Sequence, residues 1–237
     1  MQLIVLMYHK VQPVDLPDPL TISVRKFSAQ LQYLVNHGFN FISLSELKEH
    51  ITSNAPLPPK AVMITFDDGY RDNLLYAYPV LIKYNVKAGI FLIGEKVRFF
   101  QEDEDNYLNR CELQLMSSTL VEYGFHGYKH SDYAAMSFNE IEEDLISMQN
   151  RFKLLGVKCE PCFAYPYGSF HRKNCVKQLV LEAILENFQI LFAFRIGNRI
   201  NKLPLKNNYL INRIDVTGNE PLWKFKLMCR FGKKWLP

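Results

Sequence analysis

Apolar residues recur along this chain in two alternating rhythms. Continuous runs such as Leu3-Ile4-Val5-Leu6-Met7-Tyr8 and Ala61-Val62-Met63-Ile64-Thr65-Phe66 have the length and uniformity of strands buried on both faces. Further runs of this kind predict strands over 39–42, 88–93, 162–165, 191–194 and 210–214. Between them lie stretches with helical spacing. Phe27, Leu31, Leu34 and Val35 predict a helix over 24–37, stopped by Gly38. Ile141, Leu145, Met148 and Phe152 predict another over 138–155, and a third is expected over 176–188. A shorter one over 46–51 is capped by Ser43 or Ser45. Residues 73–84 are also helical in pattern, with a kink or break at Pro79. The prolines within 53–60 require a loop, and the acidic segment 95–110 predicts an excursion over the surface. Glycines at 124 and 127 argue for a loop around Glu122 to His130.

Strands alternating with helices imply parallel β/α units, whose functional side chains sit on loops after the strands. No internal repeat, low-complexity tract or linker divides the 237 residues, so one domain over 1–237 is expected. Hydrophobic residues at 48% and charged residues at 22% are ordinary for a globular protein. The formal charge of +4 comes without a basic-aromatic platform or a basic helix face, which argues against nucleic acid as a partner.

The cysteines (Cys111, Cys159, Cys162, Cys175 and Cys229) are odd in number and follow no secretory leader. Free thiols in a reducing compartment are therefore expected, and the Cys159-Cys162 spacing lacks the second pair that a redox or zinc motif needs. The start is too short and lacks the positive flank of a signal peptide, and no apolar run reaches the length of a membrane span. The expected location is the cytoplasm, including the inner face of the membrane. Residues 223–235 mix basic and aromatic side chains. They could contact a membrane peripherally, although a C-terminal helix docked on the domain is the favoured reading.

Candidate chemistry concentrates in three places. Asp67 and Asp68 end an apolar strand directly before Gly69. Two acids there are costly unless solvated, paired or bound to a cation, and an Asp-Gly turn explains them equally well. His126 and His130 are four positions apart, close enough to turn toward one ion. One aspartate and two histidines can hold a transition metal with open positions, which suits a hydrolase and also describes the facial triad of non-haem iron oxygenases. Phe163-Ala164-Tyr165-Pro166-Tyr167-Gly168 is a strand running into a turn that can present the Tyr167 N–H to a developing oxyanion.

Together these segments resemble the NodB-type polysaccharide deacetylases. The Thr65-Phe66-Asp67-Asp68 and His126-to-His130 motifs carry the likeness, and 86–94 is similar to a strand of that family. The resemblance implies a distorted, incomplete (β/α) barrel, with Asp67 as catalytic base and Asp68, His126 and His130 as ligands of a divalent metal. Zinc is the first choice, with cobalt, iron or nickel as alternatives. The Met7-Tyr8-His9-Lys10-Val11 start resembles the branch containing the poly-β-1,6-N-acetylglucosamine de-N-acetylases, whose motif order is circularly permuted. That likeness implies His9 as general acid. Two positions depart from the family pattern. Gly127 replaces a Ser/Thr in the histidine motif, and Ala164 stands where many relatives have an arginine that orients the base. Arg213 could supply that arginine from the last strand, and Asp215 could steer His9. The expected activity is hydrolysis of N-acetyl groups on a carbohydrate substrate. The alternative is a carbohydrate-binding domain of the same fold with impaired catalysis.

Overall fold

The computed structural model describes residues 1–100 and 106–233. In chain order its strands are β1 (Gln2–Tyr8), β2 (Lys10–Gln12), β3 (Thr21–Ser23), β4 (Asn40–Phe41), β5 (Ala61–Phe66), β6 (Ala88–Leu92), β7 (Val121–Phe125), β8 (Cys162–Ala164), β9 (Phe192–Ile196), β10 (Asn201–Lys202) and β11 (Ile211–Asp215). The helices are α1 (Val24–Asn36), α2 (Leu44–Ser53), α3 (Tyr78–Tyr84), α4 (Arg110–Leu115), α5 (Phe138–Leu155), α6 (Cys175–Asn187) and α7 (Leu222–Phe231).

Strand β1 pairs in parallel with β11 on one side and with β5 on the other. The ring β1-β11-β9-β8-β7-β6-β5 therefore closes into a parallel barrel of seven strands. This is the expected barrel, one strand short of an eightfold (β/α) ring. Period-two alternation divides its side chains between two cores. Leu3, Val5, Met63, Phe91, Ala164 and Phe194 point inward and form one buried cluster. Ile4, Leu6, Ile64 and Phe66 point outward and pack with Phe27, Leu31 and Leu34 of α1 and with the apolar face of α5. Each fully buried side chain of this size contributes roughly 1.5–3 kcal/mol.

One end of the barrel is plugged. Leu44 and Leu47 of α2 join the interior cluster. Gly89 leaves room for the plug, since a Cβ there would lie 2.9 Å from the Leu44 side chain. Ser43 caps α2 by accepting from the Glu46 N–H at 3.2 Å. Ser45 is instead spent on the barrel, donating its N–H and hydroxyl to Glu122 at 2.8 and 2.5 Å. With the N-terminal end sealed, chemistry is left to the loops at the C-terminal end.

The structure corrects several local expectations. Residues 121–125 form strand β7 rather than the start of a loop. Gly124 there is a packing glycine, because a Cβ would fall 2.6 Å from the Phe91 ring. Residues 73–84 are helical as expected, but the first turn, Asn73–Ala77, is π-helical. The α-helix restarts at Tyr78, with Pro79 in its first turn where a missing N–H costs least. Helix α4 was not foreseen; Asn109 and Glu112 form its capping box. Of the expected excursion over 95–110, residues 101–105 lie outside the described residues. The returning segment lies against the Asp-Gly turn, with the Leu108 N–H donating to Gly69 O at 2.9 Å. Helix α7 docks on the barrel wall through Phe225, Met228 and Cys229. The remainder of the basic-aromatic tail, residues 234 and 235, lies outside the described residues. No described helix is long and apolar enough to cross a membrane.

Candidate active site

The C-terminal ends of β1, β5, β7, β8 and β11 converge on a small set of polar side chains. Asp67 follows β5 with inward parity, is buried, and donates its backbone N–H to Tyr8 O on β1 at 2.9 Å. Arg213, also inward on β11 and fully buried, donates to both its oxygens at 2.5 and 2.7 Å. Two charges in so dry a site persist because the fork is bidentate, although Arg213 Nε itself is buried without a partner. The Arg213 guanidinium also lies over the Phe91 ring at 5.3 Å. Burial would push the Asp67 carboxyl up, but Arg213 and His126 outweigh it and hold it below the usual carboxylate range.

Asp68 turns out of the strand with φ of 72°, a left-handed conformation uncommon outside glycine, asparagine and aspartate. His130 and Tyr167 share that conformation, at 58° and 57°. Three of the proposed site residues are thus held by turns in a sparsely populated backbone region. The rest of the fold must stabilise those turns.

Asp68 Oδ1 lies 3.5 Å from His126 Nε2 and 3.4 Å from His130 Nε2. These separations are beyond good hydrogen-bond length, and Oδ1 is buried without a hydrogen-bond partner. An orphaned carboxylate oxygen facing two imidazole nitrogens is the donor set of a divalent cation, and one atom from each side chain lies within 4.8 Å of the others. His126 Nδ1 donates to Ala164 O at 2.7 Å, which fixes the tautomer and leaves Nε2 as a ligand atom. Burial would raise the Asp68 carboxyl, yet His126, His9 and His130 together lower it to about 2. Burial would lower His126, but Asp67 and Asp68 raise it overall. His130 is lowered, by burial first and then by His126, so its imidazole stays neutral and available.

The loop carrying His130 is anchored by Asp144 of α5. This buried carboxylate accepts from the Tyr128 and Lys129 N–H groups at 2.7 and 3.1 Å and from the Tyr133 hydroxyl at 2.8 Å. Gly127 begins the loop with φ of 77°, and a Cβ there would meet Asp144 Oδ2 at 3.2 Å. The Tyr167 ring closes the other side, edge-on to His130 with centroids 4.5 Å apart. His9 lies past the end of β1, its carbonyl held by the Asn73 amide at 2.8 Å. It is near enough for its charge to act on Asp67, Asp68 and His130.

The sequence profile of the family described as Polysaccharide deacetylase matches residues 54–184, more than half of the chain. The chain belongs to the polysaccharide deacetylase family. Poly-beta-1,6-N-acetyl-D-glucosamine N-deacetylase of Staphylococcus epidermidis is 26% identical over 211 residues, covering 84% of this chain and 69% of that protein. The Staphylococcus aureus protein of the same name is 28% identical over 210 residues, again 84% and 69%. YxkH of Bacillus subtilis is 26% identical over 170 residues, and the match spans 58% of its length. Two solved structures share the fold. Streptococcus pyogenes deacetylase PplD in complex with acetate has a TM-score of 0.76 at 23% identity, covering 92% of this chain and 94% of that one. IcaB from Ammonifex degensii has a TM-score of 0.75 at 23% identity, covering 98% and 97%.

Within this family member, the fold brings Asp67, Asp68, His126, His130, Arg213, His9 and the Tyr167 turn to one end of the barrel. Asp215 ends β11, and its carboxylate lies 3.8 Å from Lys233 Nζ. Two contributors escaped the sequence reading. Asp144 falls between Ile141 and Leu145 on the apolar stripe of α5, and an acid on a buried helix face was the available signal. Tyr70 lies beside Asp68, where burial and that carboxylate's charge push its phenol up. Nothing in its sequence context distinguished it from the neighbouring tyrosines.

Proposed function

We propose that this chain is a metal-dependent carbohydrate de-N-acetylase that hydrolyses an N-acetyl group of a sugar polymer or oligomer to a free amine and acetate. The single observation that carries the reading is the orphaned Asp68 oxygen facing two ligand-ready imidazoles beside an arginine-clamped second aspartate.

Asp68, His126 and His130 would hold the cation, zinc first, with cobalt, iron or nickel as alternatives. Bound there, it supplies Lewis acidity toward the acyl carbonyl and makes water a stronger acid. Asp67 takes the proton as water attacks, and Arg213 keeps that carboxylate ionised and aimed. The Tyr167 N–H donates to the oxygen that gains charge, a type of contact worth roughly 3 kcal/mol. His9 delivers a proton to the departing nitrogen, so the amide yields an amine and a carboxylate.

Arg213 and Asp144 also weaken the case for an impaired binding domain. The guanidinium absent at Ala164 is present from β11, and the loop lacking a hydroxyl at Gly127 is held by a carboxylate. The free thiols, two of them exposed, support a reducing compartment such as the cytoplasm. The test is acetate release from N-acetylglucosamine oligomers with added zinc. Turnover is expected in the native protein and loss of it in Asp67→Asn; sugar binding without any acetate would favour the binding-domain reading.

A further inference from the structure

The barrel lacks a covering helix between β9 and β11. In its place, the segment from Gly197 to Leu210 folds over as a loop containing β10, and a cavity of about 760 Å³ opens on the outer wall. Arg195, Arg199, Lys202, Lys206 and Arg230 line it. A second cavity of about 320 Å³ shares Arg195 and Arg199 with the first and adds Arg172. The two form one groove carrying six cationic side chains and, among the described residues, no carboxylate in its lining. Among the described residues, Arg172, Arg195, Lys202, Lys206 and Arg230 form no ion pair.

Arg195 is the built part of this groove. It is half-buried, its Nε donates to Asn212 Oδ1 at 3.1 Å, and its guanidinium carbon lies 4.9 Å over the Phe170 ring. One edge of the guanidinium is thereby fixed, and the side chain lines both cavities. Its charge is disfavoured by burial and by the neighbouring Arg172 and Arg199. Like charges gathered this closely destabilise a fold, and a bound anion relieves that repulsion. The groove also reaches the reaction end of the barrel. Gly168, next to Tyr167, packs so closely on Ile196 that a Cβ would lie 2.6 Å from its side chain, and Ile196 lines the second cavity beside Arg195.

We propose that this groove binds a phosphate or diphosphate group. Arg195 is the fixed fork, and Arg172, Lys202 and Lys206 are the supporting cations. Arginine forks match phosphate geometry, and several cations are required to neutralise a diphosphate. The group can be carried by a soluble phosphorylated glycan or by a lipid headgroup.

Calorimetric titration of the full chain with pyrophosphate at low salt tests the site, with Asp68→Asn as a control for coordination to a metal. Binding with Kd below about 1 mM is expected. It should weaken at least tenfold in Arg195→Gln, and also in the doubly substituted Arg172→Gln, Lys206→Gln chain, whose altered side chains are exposed. Melting temperature should be preserved in that double variant, and Asp68→Asn should leave the affinity unchanged. Co-sedimentation with phosphatidylglycerol vesicles, against phosphatidylcholine vesicles, identifies the carrier. Retention that pyrophosphate competes away places the phosphate on a lipid, and pyrophosphate binding without retention places it on a soluble ligand. Absence of both, or pyrophosphate binding lost in Asp68→Asn but kept in the arginine variants, overturns the proposal.

Discussion

Arg213 grips both carboxylate oxygens of Asp67 from across strand β1, 146 positions away in sequence, and both side chains are buried. The pair is held by strand parity. Asp67 extends the inward set of β5, and Arg213 belongs to the inward set of β11. Removing either partner leaves an uncompensated buried charge. Arg213→Gln should cost about 3–5 kcal/mol of stability.

The same substitution has a kinetic signature. Arg213 is the chief influence holding the Asp67 carboxyl low against burial. Without it the carboxyl rises, and a base that must be ionised is lost at higher pH than before. The acid limb of the kcat/KM profile should therefore move toward neutral pH in Arg213→Gln. An acid limb left in place would mean that Asp67 is not the group titrating there.

Gly127 resembles a defect in the histidine motif, yet the structure makes glycine the suitable residue. Any side chain must adopt φ of 77°, at roughly 1–2 kcal/mol, and crowd Asp144 Oδ2 at 3.2 Å. Restoring the hydroxyl with Gly127→Ser should lower both melting temperature and turnover. Improved activity in that variant would show that the loop wants the hydroxyl after all.

Asp144 would act on a cation bound at the proposed site through the backbone of the His130 loop. Asp144→Ala strands two N–H groups and a buried phenol, each costing about 1–3 kcal/mol when unsatisfied. Zinc affinity, read by competition with a chromogenic chelator, should fall by an order of magnitude or more, as expected when a support behind a ligand is lost. Intact affinity alongside lowered stability would reduce Asp144 to a purely structural anchor.

Asp72 gives a pH dependence of stability. Burial pushes its carboxyl up to about 6, and the bonds from Val11 and Gln12 only partly offset this. An acid raised above its unfolded value of 3.8 favours the folded state most when protonated. This contribution is present below pH 4, fades as pH rises toward 6, and is absent above, a change of roughly 3 kcal/mol. Urea unfolding should show Asp72→Asn gaining on the native protein between pH 4 and 7. A difference constant across that range would contradict it.

The alternation of buried runs with periodic stretches made the barrel legible, because parallel strands covered on both faces are continuously apolar. Strand β7 was obscured by Gly124, which looks like a breaker in sequence and serves in space as clearance for Phe91. Asp67, Asp68, His126 and His130 stood out because together they supply a metal's donor set with a spare acid, although each pair alone has an ordinary structural use. Arg213 could be suspected from its strand. Its bond to Asp67, however, depends on a closure between β1 and β5 that no local pattern reveals. Asp144 was hidden by being a single acid on a strongly periodic helix.

The central claim is that Asp68, His126 and His130 hold one cation while Asp67 remains free to act as base. Elemental analysis after chelation, reconstitution with zinc and desalting tests it most directly. One zinc per chain is predicted in the native protein and in Asp67→Asn, with loss of it in Asp68→Ala and in His130→Ala. Equal zinc in all four proteins, or none in the native one, would contradict the account.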